Sequence, residues 1–204
     1  MITDRRLAKF KKVAAYRQKM TVVLENVHDP HNIGAVMRSC DAIGIQEVYV
    51  LTTDPRIQRA HAVTFKPTST GVRKWLYLHH YDDVDKCFED VKSKYDKVLA
   101  THIDSQSESL YDMDLTGNVA FLFGNEHEGI SEESLKYADG NFLIPQYGMV
   151  QSLNISVACA LTIFEAGRQR MLSGMYNDDS SHKQNHNESI LNHFMKKHEE
   201  SYRK

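Results

Sequence analysis

Three short stretches hold side chains able to do chemistry. In HDPHNIGAVMR (28–38), Asn32 can cap a helix, Gly34 keeps its first turn slim, and Arg38 follows six residues later, near enough to that face to meet a phosphate. The competing reading is a capped helix with a salt-bridged arginine. In VAFLFGNEHEGIS (119–131), an apolar strand runs straight into Gly124, Asn125, Glu126, His127, Glu128 and Gly129. Ligands of open α/β sheets lie where the carboxyl ends of strands meet such loops. In IPQYGMVQSLNISVACAL (144–161), Pro145 biases Ile144 away from helical angles and Gly148 permits close backbone approach. A bend with free amides therefore precedes a helix for which Ser152 and Asn154 are both competent caps. The run behind them (Ile155, Val157, Ala158, Ala160, Leu161, Phe164) is apolar almost all round, which predicts a buried core helix.

A fourth stretch, PTSTGVRKWLY (67–77), reads two ways. Thr68, Ser69 and Thr70 can hydrogen-bond phosphate or ribose, Arg73 and Lys74 can contact phosphates, and Trp75 can stack on a base. Equally, Trp75 and Leu76 belong to the core and the rest is a turn. Several chemistries lose their signals. His127 sits between two glutamates, but H-E-x-x-H is absent and no second ligand cluster accompanies it, so no metal is expected. His102 ends an apolar strand, while His182, His186, His193 and His198 crowd a polar tail and read as solvated surface. Neither a phosphate-binding P-loop, a dinucleotide fingerprint nor a G-x-S-x-G elbow occurs.

These segments must be positioned by the elements between them. TVVLEN (21–26), a helix within 29–44 and QEVYVLT (46–52) make a βαβ unit. A helix over 81–95 leads into DKVLATHI (96–103), NVAFLFG (118–124) precedes a short helix at SEESLKYA (131–138), and NFLIPQ (141–146) is a further strand. This alternation predicts an α/β fold: a mostly parallel sheet with helices on both faces. A basic amphipathic helix is expected over 3–19, with Arg5, Arg6, Lys9, Lys12 and Lys19 on its charged face. Residues 172–188 are polar, and Ile190, Leu191, Phe194 and Met195 form the stripe of a terminal helix.

The chain of 204 residues has a net charge of -2, yet residues 1–20 carry seven Lys/Arg against one acid, leaving the remainder at -8. A basic amino-terminal arm suits a polyanion, or is simply a solvated helix. Cys40, Cys87 and Cys159 form no C-x-x-C pair, which points to free thiols in a reducing cytoplasm. The longest largely apolar run, 155–164, is half of the roughly 20 residues that span a bilayer. Neither secretion nor a membrane is expected.

NIGAVMR (32–38), LFGNEHEG (122–129) and IPQYGMVQSLNISVACAL (144–161) closely resemble, in order, the three motifs of the SpoU branch of the SPOUT RNA 2'-O-methyltransferases. TSTGVRKW, FEAGRQR and GMY resemble the members of that branch that act on tRNA guanosine, so the likeness covers almost the whole chain. It implies a deep trefoil knot in the carboxyl-terminal part of residues 21–172, with helical extensions at 1–20 and 173–204. It also implies S-adenosyl-L-methionine held around Thr101, His102, Gly124, Ile144, Met149 and Leu153, and a homodimer. Asn32, Arg38, Glu126, Ser152 and Asn154 take the catalytic positions, while Arg5, Arg6, Lys9, Lys12, Arg73 and Lys74 are expected to contact tRNA. The implied reaction is methylation of the ribose 2'-hydroxyl of guanosine 18 in the D-loop. The rivals are ribosomal RNA or another tRNA position as target, and a non-catalytic RNA-binding homologue.

Overall fold

The computed structural model describes residues 2–64, 71–177 and 184–202; Thr68, Ser69, Thr70 and His182 lie outside them, as does the side chain of His186. The elements run α1 (Asp4–Ala15), β1 (Met20–Glu25), α2 (Pro30–Ile43), β2 (Glu47–Leu51), α3 (Pro55–Thr64), a 3-10 turn (Arg73–Trp75) and β3 (Tyr77–Tyr81). They continue α4 (Val84–Lys94), β4 (Lys97–Ala100), β5 (Glu108–Ser109), β6 (Val119–Phe123), α5 (Glu132–Leu135), β7 (Gly140–Leu143), α6 (Ile155–Leu172) and α7 (Gln184–Tyr202).

All seven strands join one parallel sheet in the order β3-β2-β1-β6-β4-β7-β5. Central β1 and β6 are buried along their whole length, because helices cover both faces. The period of two separates two cores. Met20, Val22, Leu24, Phe121 and Phe123 point into one with α2 and α6, while Val23, Ala120 and Leu122 point into the other with Val84, Phe88 and Val91 of α4. Helices α2 and α6 cross so closely that a Cβ on Gly167 would lie 2.5 Å from Ile43 Cδ1. A third cluster joins Phe10 and Ala14 of α1 to Ile190 and Phe194 of α7, with Trp75, Leu191 and Met195 at its edge.

Several elements depart from expectation. Helix α1 ends at Ala15 because residues 16–19 turn into β1, so Lys19 is not on its charged face. The strand expected over 141–146 is Gly140–Leu143, and Pro145 lies beyond it. Residues 77–81 form an edge strand that a run of Tyr and His did not signal, and α3 was likewise unmarked. Leu76 is 4% exposed and belongs to the core, whereas Trp75 is half-buried. Helix α6 is not buried all round. Val157, Leu161 and Phe164 are 46%, 40% and 47% exposed, because neither α2 nor the sheet reaches that side. Among the described residues no helix is long and apolar enough to cross a membrane, no group of three metal-ligating side chains occurs, and the three cysteines are free and buried.

Candidate active site

Three loops at the carboxyl ends of the strands build the site. After β1, Asp29 caps α2 by accepting a hydrogen bond from His31 N at 2.8 Å, and Pro30 occupies the first helical position. Asn32 is thus not the cap. It sits in the first turn, where its backbone N–H donates to Asp29 O at 3.0 Å and its side chain bonds partners outside the helix. No protein atom lies within 4 Å of a Cβ built on Gly34 or Gly148, so neither glycine is required by packing within the chain.

After β6, the loop closes on itself. Asn125 N donates to Gly129 O and Gly129 N to Asn125 O, both at 2.9 Å. Gly129 has φ +73°, and a Cβ on Gly124 would fall 2.2 Å from the Gly129 carbonyl, so Gly124 cannot carry a side chain in this loop. Buried Asn125 accepts from His127 N at 2.7 Å and donates to Asn26 O at 3.0 Å, tying the loop to the end of β1. Glu25, 1% exposed, accepts from Ser131 N, Ser131 Oγ and Ser134 Oγ at 3.1, 2.6 and 2.8 Å. A buried carboxylate persists only when hydrogen-bonded in this way. Sequence reasoning met Asn125 only as one of the loop residues and passed over Glu25, although a charged residue inside the apolar strand TVVLE was a signal.

Before α6, Asn154 is the cap, accepting from Ser156 N at 2.9 Å, while Ser152 is exposed and outside the helix. The side chains of the three loops meet. Asn32 Nδ2 donates to Glu126 Oε1 at 2.7 Å, and Asn154 Nδ2 donates to Asn32 Oδ1 at 3.2 Å. These links span 94 and 122 residues of chain and fix the amide of Asn32 in one orientation.

Beside them lies a cleft of about 180 Å³, lined by Thr101, Gly124, Glu126, Ile144, Ser152 and Leu153 and floored by Phe123, Phe142, Leu143, Ile155 and Ala158. His102 and Met149 do not line it. Met149 is fully exposed, and Ile103 takes the place expected of His102. Arg38 is exposed on α2 with no side-chain hydrogen bond or ion pair among the described residues, and so is not tied to the other four candidates by either. On the amino-terminal side, Arg6 and Lys9 line a second pocket, Lys74 Nζ lies 4.6 Å from the Trp75 ring centroid, and Arg5 and Lys12 are exposed on α1.

A tRNA (guanosine(18)-2'-O)-methyltransferase of Thermus thermophilus is 42% identical over 175 residues, which cover 85% of this chain and 88% of that protein. The crystal structure of the A. aeolicus TrmH/SpoU tRNA modifying enzyme superposes with a TM-score of 0.75 at 30% identity, covering 94% of this chain and 95% of that one. The SpoU methyltransferase AviRb from Streptomyces viridochromogenes, in complex with the cofactor AdoMet, gives 0.61 at 26% identity over 74% and 57% of the two chains. Residues 19–164 match the SpoU rRNA Methylase family, and this chain belongs to it.

Proposed function

We propose that the protein transfers a methyl group from S-adenosylmethionine to the ribose 2'-hydroxyl of guanosine 18 in the D-loop of tRNA. The observation that carries the reading is the hydrogen-bonded series Glu126–Asn32–Asn154, which joins three distant segments at the lip of one cleft. The similarity to a tRNA guanosine-18 enzyme along most of both chains supplies the substrate.

The cleft suits the cofactor chemically. Its floor is apolar, Glu126 stands at its mouth, and no Lys, Arg or His lines it, a setting that favours a cationic sulfonium. Pockets that engulf a ligand begin at roughly 300 Å³, so this cleft of about 180 Å³ holds part of a molecule and leaves the rest over the exposed 146–151 segment. When bound, S-adenosylmethionine supplies an electrophilic methyl. The chain's own groups supply alignment. Asn32, held by Glu126 and Asn154, presents a fixed amide to the ribose, and Ser152 offers a free hydroxyl at the same lip. Near-attack geometry of about 3 to 3.5 Å lowers a barrier by several kcal/mol. Arg38 anchors a substrate phosphate; a guanidinium keeps its proton to a pH above about 12 and is a poor base.

The same reading takes residues 21–172 as the catalytic domain, with a deep trefoil knot in its carboxyl-terminal part, and α1 with α7 as an RNA-binding annex. The strand order supports the knot: β7 lies between β4 and β5, so the linker 101–107 bridges a strand that enters later in sequence. Exposed Val157, Leu161 and Phe164 on α6 beside Tyr111 support a homodimer, and the free thiols suit the cytoplasm. The test is transfer of labelled methyl to a tRNA transcript and to its twin with guanosine 18 replaced by adenosine. Labelling of the first alone is expected. Equal labelling of both sinks the assignment of the site, and labelling of neither favours a non-catalytic RNA-binding role.

A further inference from the structure

We infer that the pocket between α1, α7 and the Arg73–Trp75 turn receives one unpaired nucleobase of RNA together with its phosphate, at the edge of the sheet opposite the cleft. The inference rests on RNA being the substrate. Three aromatic rings packed on one another line it, buried Phe10 and Phe194 and half-buried Trp75, with mutual centroid distances of 5.5, 5.8 and 5.8 Å. The pocket's volume of about 140 Å³ is close to the roughly 150 Å³ cavity that admits a single benzene ring.

Cations complete it. The Arg6 guanidinium lies 5.4 Å from the Phe10 centroid and 5.9 Å from that of Trp75, and Lys9 stands on the same lining. Arg17, 3% exposed, lies 5.5 Å from the Phe194 centroid and pairs with Asp41 at 2.6 Å, which neutralises that acid and leaves Arg6 and Lys9 in excess. Two buried donors lining this pocket, Arg6 Nε and Arg17 Nε, have no partner among the described residues. Unpartnered buried donors are costly, and the carbonyl oxygens and ring nitrogens of a base would satisfy them. Aromatic walls, free donors and rim cations together are the chemistry of a base with its phosphate.

Position separates this pocket from the cleft. Arg17, the Ile45 carbonyl it binds at 2.8 Å, and Trp75 all precede the strands they lead into, whereas the cleft lies beyond the strands' carboxyl ends. A five-residue strand is roughly 17 Å long, so one nucleotide cannot reach both edges while a folded RNA can.

Trp75 is the chain's single tryptophan and reports on this pocket alone. The full-length protein is titrated with the dinucleotide pUpU, with ribose 5-phosphate and with inorganic phosphate while Trp75 emission is followed. Saturable quenching by pUpU alone is expected. No quenching, or equal quenching by ribose 5-phosphate, overturns the base pocket. In Arg6→Gln/Lys9→Gln the dinucleotide affinity should fall about tenfold, as for loss of charge-assisted phosphate contacts. The KM for tRNA should rise by a similar factor, with kcat at saturating tRNA unchanged. An equal fall in kcat marks a merely structural role and overturns the inference. Since the titration needs no methyl transfer, quenching without transfer leaves the pocket and removes the enzyme reading, whereas transfer without quenching does the reverse.

Discussion

The two edges of the sheet are built for binding by opposite means. At the carboxyl edge, short polar side chains sit on loops whose backbone is pinned from within: Gly124 against Gly129, Asn125 on Asn26, Glu25 on Ser131 and Ser134. At the amino edge, two amphipathic helices clasp an aromatic cluster and project long cations from it. Position is decisive in the first region, where an ångström separates a hydrogen bond from none. Charge and apolar area matter more in the second, because Lys and Arg reach over several ångströms and phosphate attraction is long-ranged. Substitutions at the carboxyl edge should therefore act on the rate, and those at the amino edge on affinity.

The largest effect is expected of Arg38→Ala, outside the pinned loops, where loss of the phosphate-anchoring charge should lower transfer at least about 100-fold. Dimerisation and cofactor affinity, read by sedimentation and calorimetry, should be unchanged. Next comes Gly124→Ala, whose Cβ must displace the Gly129 backbone. Forced overpacking typically costs about 1–3 kcal/mol, and the variant should lose cofactor binding in calorimetry before it loses the fold in urea. Asn154 sharpens the same point, because it both caps α6 and holds Asn32. Asn154→Ala should lose stability by about 1 kcal/mol and transfer by roughly tenfold, the effect of removing one orienting hydrogen bond. Asn154→Ser should recover the stability, since serine caps well, but not the rate, since its hydroxyl cannot span to Asn32. Full recovery of both would mean that the link to Asn32 is incidental.

At the amino edge, Lys9→Ala/Lys12→Ala should weaken tRNA binding at low salt and reduce the slope of log affinity against log salt by roughly one for each phosphate no longer neutralised. The smallest effect concerns Glu47 at the start of β2. Burial acts to raise its pKa, but the His79 imidazole, with Nε2 3.3 Å away, and the hydrogen-bonded Lys94 ammonium prevail and hold it at about 2. A depressed carboxylate stabilises the fold above its ordinary value of 4.5, and that contribution is lost as pH falls toward 2. The urea midpoint should decline over that window, and Glu47→Gln should start lower and decline less.

Much of this architecture is legible in the sequence. Apolar strands alternating with helices give the parallel sheet, and the stripe Ile190–Leu191–Phe194–Met195 gives the helix that α1 packs on. Helix α6 shows where periodicity fails. Apolar residues all round describe a helix buried by its own chain and one with a face left for another molecule equally well. The sequence offers Asn32 as the cap of α2, yet Pro30 directly after Asp29 marks the first helical position and points to Asp29. The link between Asn32 and Asn154 was beyond reach, since nothing local encodes a hydrogen bond across 122 residues. Asn125 acts through a backbone carbonyl 99 residues away, which carries no side-chain signal at all.

Single-turnover methyl transfer at saturating tRNA, with Asn32→Ala and Arg6→Gln/Lys9→Gln side by side, puts the division between the edges to the most direct test. The rate constant should collapse in the first variant and remain that of the native protein in the second. A native rate in Asn32→Ala, or an equal loss in both, would contradict it.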